Sequence, residues 1–176
     1  MKLQESIIRA ITESAQDVFS TMLGAELGPG ESFVEAATPE ANDGVLALIG
    51  VAGPWTGTGI LSCSPKLACR MCAQMLMTES SSINEEVLDA LAELTNMIIG
   101  GAKTALELEL GPLGLSIPTV VYGRNFKTKS AAHVEWIVIR FRWDDDSFDV
   151  KLCLTQTGKS HVATHAEAGL ACGADV

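Results

Sequence analysis

The chain has little positive charge, no long apolar run and an odd number of cysteines. It carries 12 Lys and Arg against 22 Asp and Glu, a formal net charge of −10 over 176 residues. Its basic residues are scattered, whereas proteins that bind phosphate backbones cluster their Lys and Arg. This shortage argues against nucleic acid as a ligand, and it also disfavours docking on anionic lipid surfaces.

Membrane insertion and secretion are disfavoured on similar grounds. The most apolar run, residues 45–53, is far shorter than the ~20 residues that a membrane-spanning helix needs. Near the N-terminus, Glu5, Arg9 and Glu13 interrupt the apolar residues, unlike in a secretory signal peptide. Five cysteines in a chain of this size fit a reducing compartment better than a disulfide framework. We therefore expect a cytoplasmic protein.

The spacing of apolar residues predicts a single domain of helices and strands. A first helix is expected over residues 3–22, a second after Ser64-Pro65, and a long third over about 83–109 with Ser82 as its N-cap. Alternating apolar runs predict hairpins over residues 45–62 and 134–154. Because hairpins pair strands antiparallel, the predicted fold class is α+β, with helices packed on a largely antiparallel sheet. We assign residues 1–155 to this domain and expect residues 156–176 to form a disordered tail.

The long third helix carries a column of mostly polar residues opposite its apolar stripe. On a helical wheel the outward arc holds Glu86, Asp89, Glu93, Asn96 and Gly100. A solvated helix face usually pairs a carboxylate with a basic residue four positions on, but Asp89 and Glu93 are like charges at that spacing. A glycine weakens a helix, yet it lets another surface approach the backbone closely. The face is therefore predicted to bind a partner.

This column matches a known signature. Asp89, Glu93 and Asn96 have the spacing of the D/S-x3-E-x2-N motif, and residues 89–101 as a whole resemble the motif helix of the CheC, CheX and FliY phosphatases of bacterial chemotaxis. Residues 45–62 and the Pro-containing segment 115–121 resemble the strands that flank this helix in the family. The motif occurs here in one copy, so the chain is most similar to the CheX branch.

The resemblance implies a CheC/CheX-like fold and a phosphatase that hydrolyses the aspartyl phosphate of a CheY-like response regulator. Asn96 would position the attacking water and Glu93 would dock on the regulator's active-site Lys, as the two catalytic residues. Asp89, Glu86 and Gly100 would contact the partner. The family implies no metal or cofactor bound by this chain itself, because the regulator supplies Mg²⁺. Relatives pair through their sheets, so a homodimer is expected, with the predicted strand over residues 134–143 as its contact.

Two other functions remain open. A non-catalytic adaptor could dock on a receiver domain, or on a chemotaxis or motility complex, through the same helix face. The CxxC at Cys69 and Cys72 could serve redox chemistry, but it lies inside a predicted helix and not at its first turn, where thiol pKa values are lowered. We favour the phosphatase because a pure adaptor would not need the amide of Asn96.

Overall fold

The protein is described by a computed structural model that covers residues 2–36, 43–124, 126 and 134–158. The predicted tail lies outside these residues from position 159 onward. The helices are α1 (Lys2–Leu23), α2 (Pro65–Leu76) and α3 (Glu85–Leu110). The strands are β1 (Gly28–Glu35), β2 (Asp43–Ala52), β3 (Trp55–Cys63), β4 (Gly114–Leu115), β5 (Thr119–Arg124), β6 (Trp136–Trp143) and β7 (Asp146–Gln156).

Local capping explains where the helices begin and end. The Ser64 hydroxyl accepts a hydrogen bond from Leu67 N (3.2 Å) at the start of α2, as predicted. The predicted cap of α3 is wrong by two residues. Asn84, not Ser82, is the N-cap, because its side-chain Oδ1 accepts from Val87 N (3.0 Å) while its own backbone is extended.

The described strands form one antiparallel sheet in the order β1-β6-β7-β3-β2-β4, and β5 also pairs with β2. Every strand pair is antiparallel, which confirms the predicted α+β class. The two-residue strand β4 was not predicted. The segment 115–121 is not one strand, because β5 begins only at Thr119, after Pro118. At the other end of the chain, β7 continues through Gln156, one residue past the predicted domain boundary.

The helices cover one face of the sheet and bury the larger of two apolar clusters. In this cluster α3 is central, because both α1 and α2 pack on it. Its buried residues on α3 are the predicted stripe and its neighbours: Val87, Ala90, Leu91, Leu94, Ile98, Ile99, Ala102, Leu106 and Leu110. The opposite face of the sheet holds a smaller cluster of Leu46, Ile60, Trp136, Val138 and Cys153. None of the helices in the described ranges is long and apolar enough to span a bilayer.

Candidate functional site

The predicted polar column lies on the outward side of α3. Glu86, Asp89 and Glu93 are exposed, whereas Asn96 and Gly100 are half-buried. The apolar stripe opposite them is buried, so the helical wheel placed all five residues on the correct side of the helix. Asp89, Glu93 and Asn96 lie one above another along about 10 Å of helix, since each residue rises about 1.5 Å.

Within the described part of the chain, no basic side chain neutralises the carboxylates of this column. In the ranges that the structure describes, no ion pair involves Glu86, Asp89 or Glu93. Among the described residues, the side-chain amide of Asn96 likewise makes no hydrogen bond. An exposed acidic residue and a neutral amide are thus presented side by side with their donor and acceptor groups available to a partner.

The contact of α3 with α1 fixes the position of the site helix. Gly101 lies at the crossing point, where an added Cβ would collide with the Ser14 hydroxyl. That hydroxyl donates a hydrogen bond to Ile98 O (2.8 Å), which ties the two helices together two residues after Asn96. The neighbouring Thr95 is fully buried and donates from its hydroxyl to Leu91 O (2.7 Å), so it leaves no unpaired polar group in the core. The backbone that carries Asn96 is therefore tied to α1 through Ser14, and the adjacent Thr95 is packed in the core.

The segment after α3 returns alongside the column. The Glu107 carboxylate accepts hydrogen bonds from Leu113 N (2.8 Å) and Lys103 Nζ (2.9 Å), which lowers the pKa of Glu107 and fixes the turn that leads to β4. Leu115 then reaches Gly100, where an added Cβ would lie 3.8 Å from its Cδ1 atom. Sequence reasoning missed this placement, because a two-residue strand has no readable periodicity.

Comparison with known proteins identifies the family. The family model described as "Chemotaxis phosphatase CheX" matches residues 45–142, more than half of the chain. The CheY-P phosphatase CheX of Thermotoga maritima is 30% identical over 155 residues, which cover 86% of this chain and 97% of that protein. This chain belongs to the CheX family of chemotaxis phosphatases.

Solved CheX structures share the fold. CheX from Desulfovibrio desulfuricans superimposes with a TM-score of 0.76 at 27% identity, covering 85% of this chain and 99% of that one. A complex of CheX with CheY, BeF3 and Mg²⁺ from Borrelia burgdorferi gives a TM-score of 0.72 at 21% identity, over 85% and 97% of the two chains. The predicted family, CheC/CheX-like fold and phosphatase activity are thereby confirmed.

The CxxC of this CheX-family chain lies in the core. Cys69 and Cys72 are buried on the inner face of α2, and Cys63 lies near them at the end of β3. Burial raises the pKa of Cys63 to about 12 and also raises the pKa of Cys72, so both thiols stay protonated at neutral pH. Redox catalysis needs accessible thiolates, and this arrangement disfavours it. The described residues also contain no cluster of three or more His, Cys, Asp or Glu that could hold a metal ion.

Proposed function

We propose that this CheX-family phosphatase hydrolyses the aspartyl phosphate of a CheY-like response regulator, using Glu93 and Asn96 on α3. The observation that carries the proposal is the pairing of an exposed carboxylate with an adjacent amide on a helix that the core holds rigid. The substrate named for the Thermotoga maritima relative, CheY-P, supports this choice of partner.

Asn96 acts on the attacking water. Its amide oxygen accepts a hydrogen bond from the water, which is then held in line with the phosphorus atom, and its NH₂ group donates to an acceptor on the regulator. The water oxygen forms the new bond to phosphorus as the bond to the aspartyl oxygen breaks, and inorganic phosphate and a free carboxylate result. A neutral amide suits this position, because a carboxylate there would repel the phosphoryl group.

Glu93 fixes the register of the complex. Its carboxylate pairs with the active-site Lys of the regulator through a charge-assisted hydrogen bond. Asp89 and Glu86 lie nearer the start of α3, where they contact the rim of the partner. Gly100 lies one turn beyond Asn96, and its missing side chain leaves room for the partner's backbone.

Mg²⁺ belongs to the regulator in this proposal. The ion neutralises charge on the phosphoryl group, while this chain contributes only the carboxylate of Glu93 and the amide of Asn96. The Borrelia burgdorferi complex, which contains CheY, BeF3 and Mg²⁺ together with CheX, supports that division of roles.

The site of action that we propose is the cytoplasm, and the working form is a homodimer. Four described cysteines are free thiols, as expected in a reducing compartment. The sheet offers β1 at one end and β5 beside β4 at the other for pairing with a second copy, whereas β6 is already paired on both sides. Sedimentation velocity would measure the mass of the assembly in solution.

The test is the decay of a phosphorylated receiver domain. Asn96→Ala should lower the stimulated rate by about 100-fold or more, because it removes the group that positions the water, while binding to the receiver is retained. Gln16→Ala is the matched control, since it removes an exposed side-chain amide from α1 and should leave the rate unchanged. Unchanged turnover in Asn96→Ala would disprove the mechanism. Binding without any stimulated decay in the wild type would instead indicate the adaptor.

A further inference from the structure

The segment that leads from the end of α3 into β5 combines an uncharged sequence with exposed apolar side chains. None of residues 110–123 is charged, although the chain as a whole carries 19% charged residues. Among its large apolar side chains, Ile117 is 88% exposed and Tyr122 is 49% exposed. We call Leu115, Ile117, Val120 and Tyr122 the apolar shoulder.

Three residues of the shoulder, Leu115, Val120 and Tyr122, are placed beside the polar column of α3, and Ile117 lies between them in the chain. An added Cβ at Gly100, one turn from Asn96, would lie 3.8 Å from Leu115 Cδ1. Val120 and Tyr122 are paired with Ala47 and Val45, two core residues under the helices, so they point to the helical face of the sheet. Since α3 contacts both β2 and β5, this face of β5 runs along the side of the helix.

The backbone that presents Ile117 is fixed. Ser116 N donates to Gly50 O (2.9 Å), and Gly50 N donates back to the Ser116 hydroxyl (2.8 Å). The same hydroxyl donates to Ile117 O (3.0 Å), and Pro118 restricts the residue that precedes it. An exposed β-branched side chain on a fixed backbone loses little conformational freedom when it is buried by a partner.

We infer that the apolar shoulder is a docking surface for the receiver, with Ile117 as its main contact, and that it binds an apolar patch next to the phosphorylated active site. This inference rests on the proposed function, because the shoulder is continuous with the face that carries Glu93 and Asn96. The polar column supplies register and chemistry there, and the uncharged shoulder supplies affinity through buried apolar area. An acidic or basic partner surface would gain nothing from these residues.

A measurement of receiver binding tests this inference independently of catalysis. The probe is a CheY-type receiver from the same genome, activated with beryllofluoride and Mg²⁺, and the full chain is titrated into it. Ile117→Gln should raise the Kd about tenfold or more, as expected for loss of a buried aliphatic contact, with kcat on the phosphorylated receiver unchanged. Leu108→Gln is the matched control, because Leu108 is 97% exposed on the same helix as Asn96 but lies about 18 Å further along its axis.

The possible outcomes distinguish a failure of the docking inference from a failure of the proposed hydrolysis. If the Ile117→Gln and Leu108→Gln variants bind the receiver with the same Kd and turnover is normal, the docking role of the shoulder is overturned and the proposed function stays intact. Binding that depends on Ile117 but leads to no turnover overturns the proposed hydrolysis and supports the shoulder. A loss of self-association in Ile117→Gln with receiver binding unchanged would assign the surface to a second copy and overturn the inference. No binding by the wild type overturns both.

Discussion

At the scale of single residues, the charges on α3 explain the choice of binding partner better than the total charge of the chain does. The net charge of −10 disfavours nucleic acid, but a receiver's phosphorylated active site also contains acidic groups, so acidity alone does not select it. The informative residues are Asp89 and Glu93, which repel each other by ~0.2–0.5 kcal/mol at their i, i+4 spacing. Because no described basic residue relieves this repulsion, the pair is explained better by a partner's cation than by stability of the helix.

Replacing Glu93 tests this explanation. Glu93→Gln should raise the KM for the phosphorylated receiver about tenfold and reduce the salt dependence of binding, because it removes one charge of an intermolecular pair. The free energy of unfolding should stay the same or rise slightly, since the repulsion by Asp89 is removed. Steady-state kinetics at several salt concentrations and urea denaturation give the two measurements.

The matched control for that variant is Glu109→Gln. It makes the same chemical change at an exposed position in the last turn of α3, far from Asn96, and should leave KM and its salt dependence unchanged. An equal rise in KM for both variants would mean that only the overall charge matters, and the assigned contact of Glu93 would be wrong.

At the scale of elements, two adjacent glycines of α3 have opposite surroundings. An added Cβ at Gly100 meets only Leu115 at 3.8 Å, an ordinary van der Waals contact. At Gly101 it collides with Ser14 at the crossing of α1 and α3. Both glycines lower helix stability to a similar degree, but only Gly101 is required by the packing of the fold.

This contrast predicts opposite effects of the same substitution. Gly100→Ala should stabilise the protein by about 0.5–1 kcal/mol, whereas Gly101→Ala should destabilise it, because overpacking costs about 1–3 kcal/mol. Gly100→Ala should nevertheless weaken receiver binding if the partner approaches the helix at this glycine. Urea denaturation and receiver titration of both variants make the comparison. Tight binding by a stabilised Gly100→Ala variant would contradict the partner role assigned to Gly100.

The sequence predicts those features of α3 that depend on its own periodicity. The outward side of α3 that carries Glu93 and Asn96 and the buried stripe opposite follow from 3.6 residues per turn, and the structure agrees. The role of Gly101 depends on its contact with Ser14, which is far away in the chain. The local sequence around Gly101 therefore does not predict this role. The cap of α3 was misplaced because Ser82 and Asn84 are both good N-caps, and the choice between them depends on the path of the chain between α2 and α3.

At the scale of the whole molecule, the two apolar clusters enclose the thiols from both faces of the sheet. Cys63, Cys69 and Cys72 belong to the cluster under the helices, and Cys153 belongs to the cluster on the opposite face. Burial raises the pKa of Cys153 as it does those of Cys63 and Cys72. Exposing these sulfurs requires the layers to separate, so their reactivity should follow global unfolding and not local motion.

Thiol labelling tests both this packing and the redox alternative. Cys172 lies outside the described residues and is replaced by Ser, which leaves four thiols, all of them buried. Native protein at pH 8 should react with an aromatic disulfide reagent only at the rate of unfolding, because all four sulfurs are buried and burial raises the pKa of Cys63, Cys72 and Cys153. All four remaining thiols should react at once in strong denaturant. Rapid labelling of one or two thiols in the native state would show an accessible CxxC and restore the redox function as a competitor of the phosphatase.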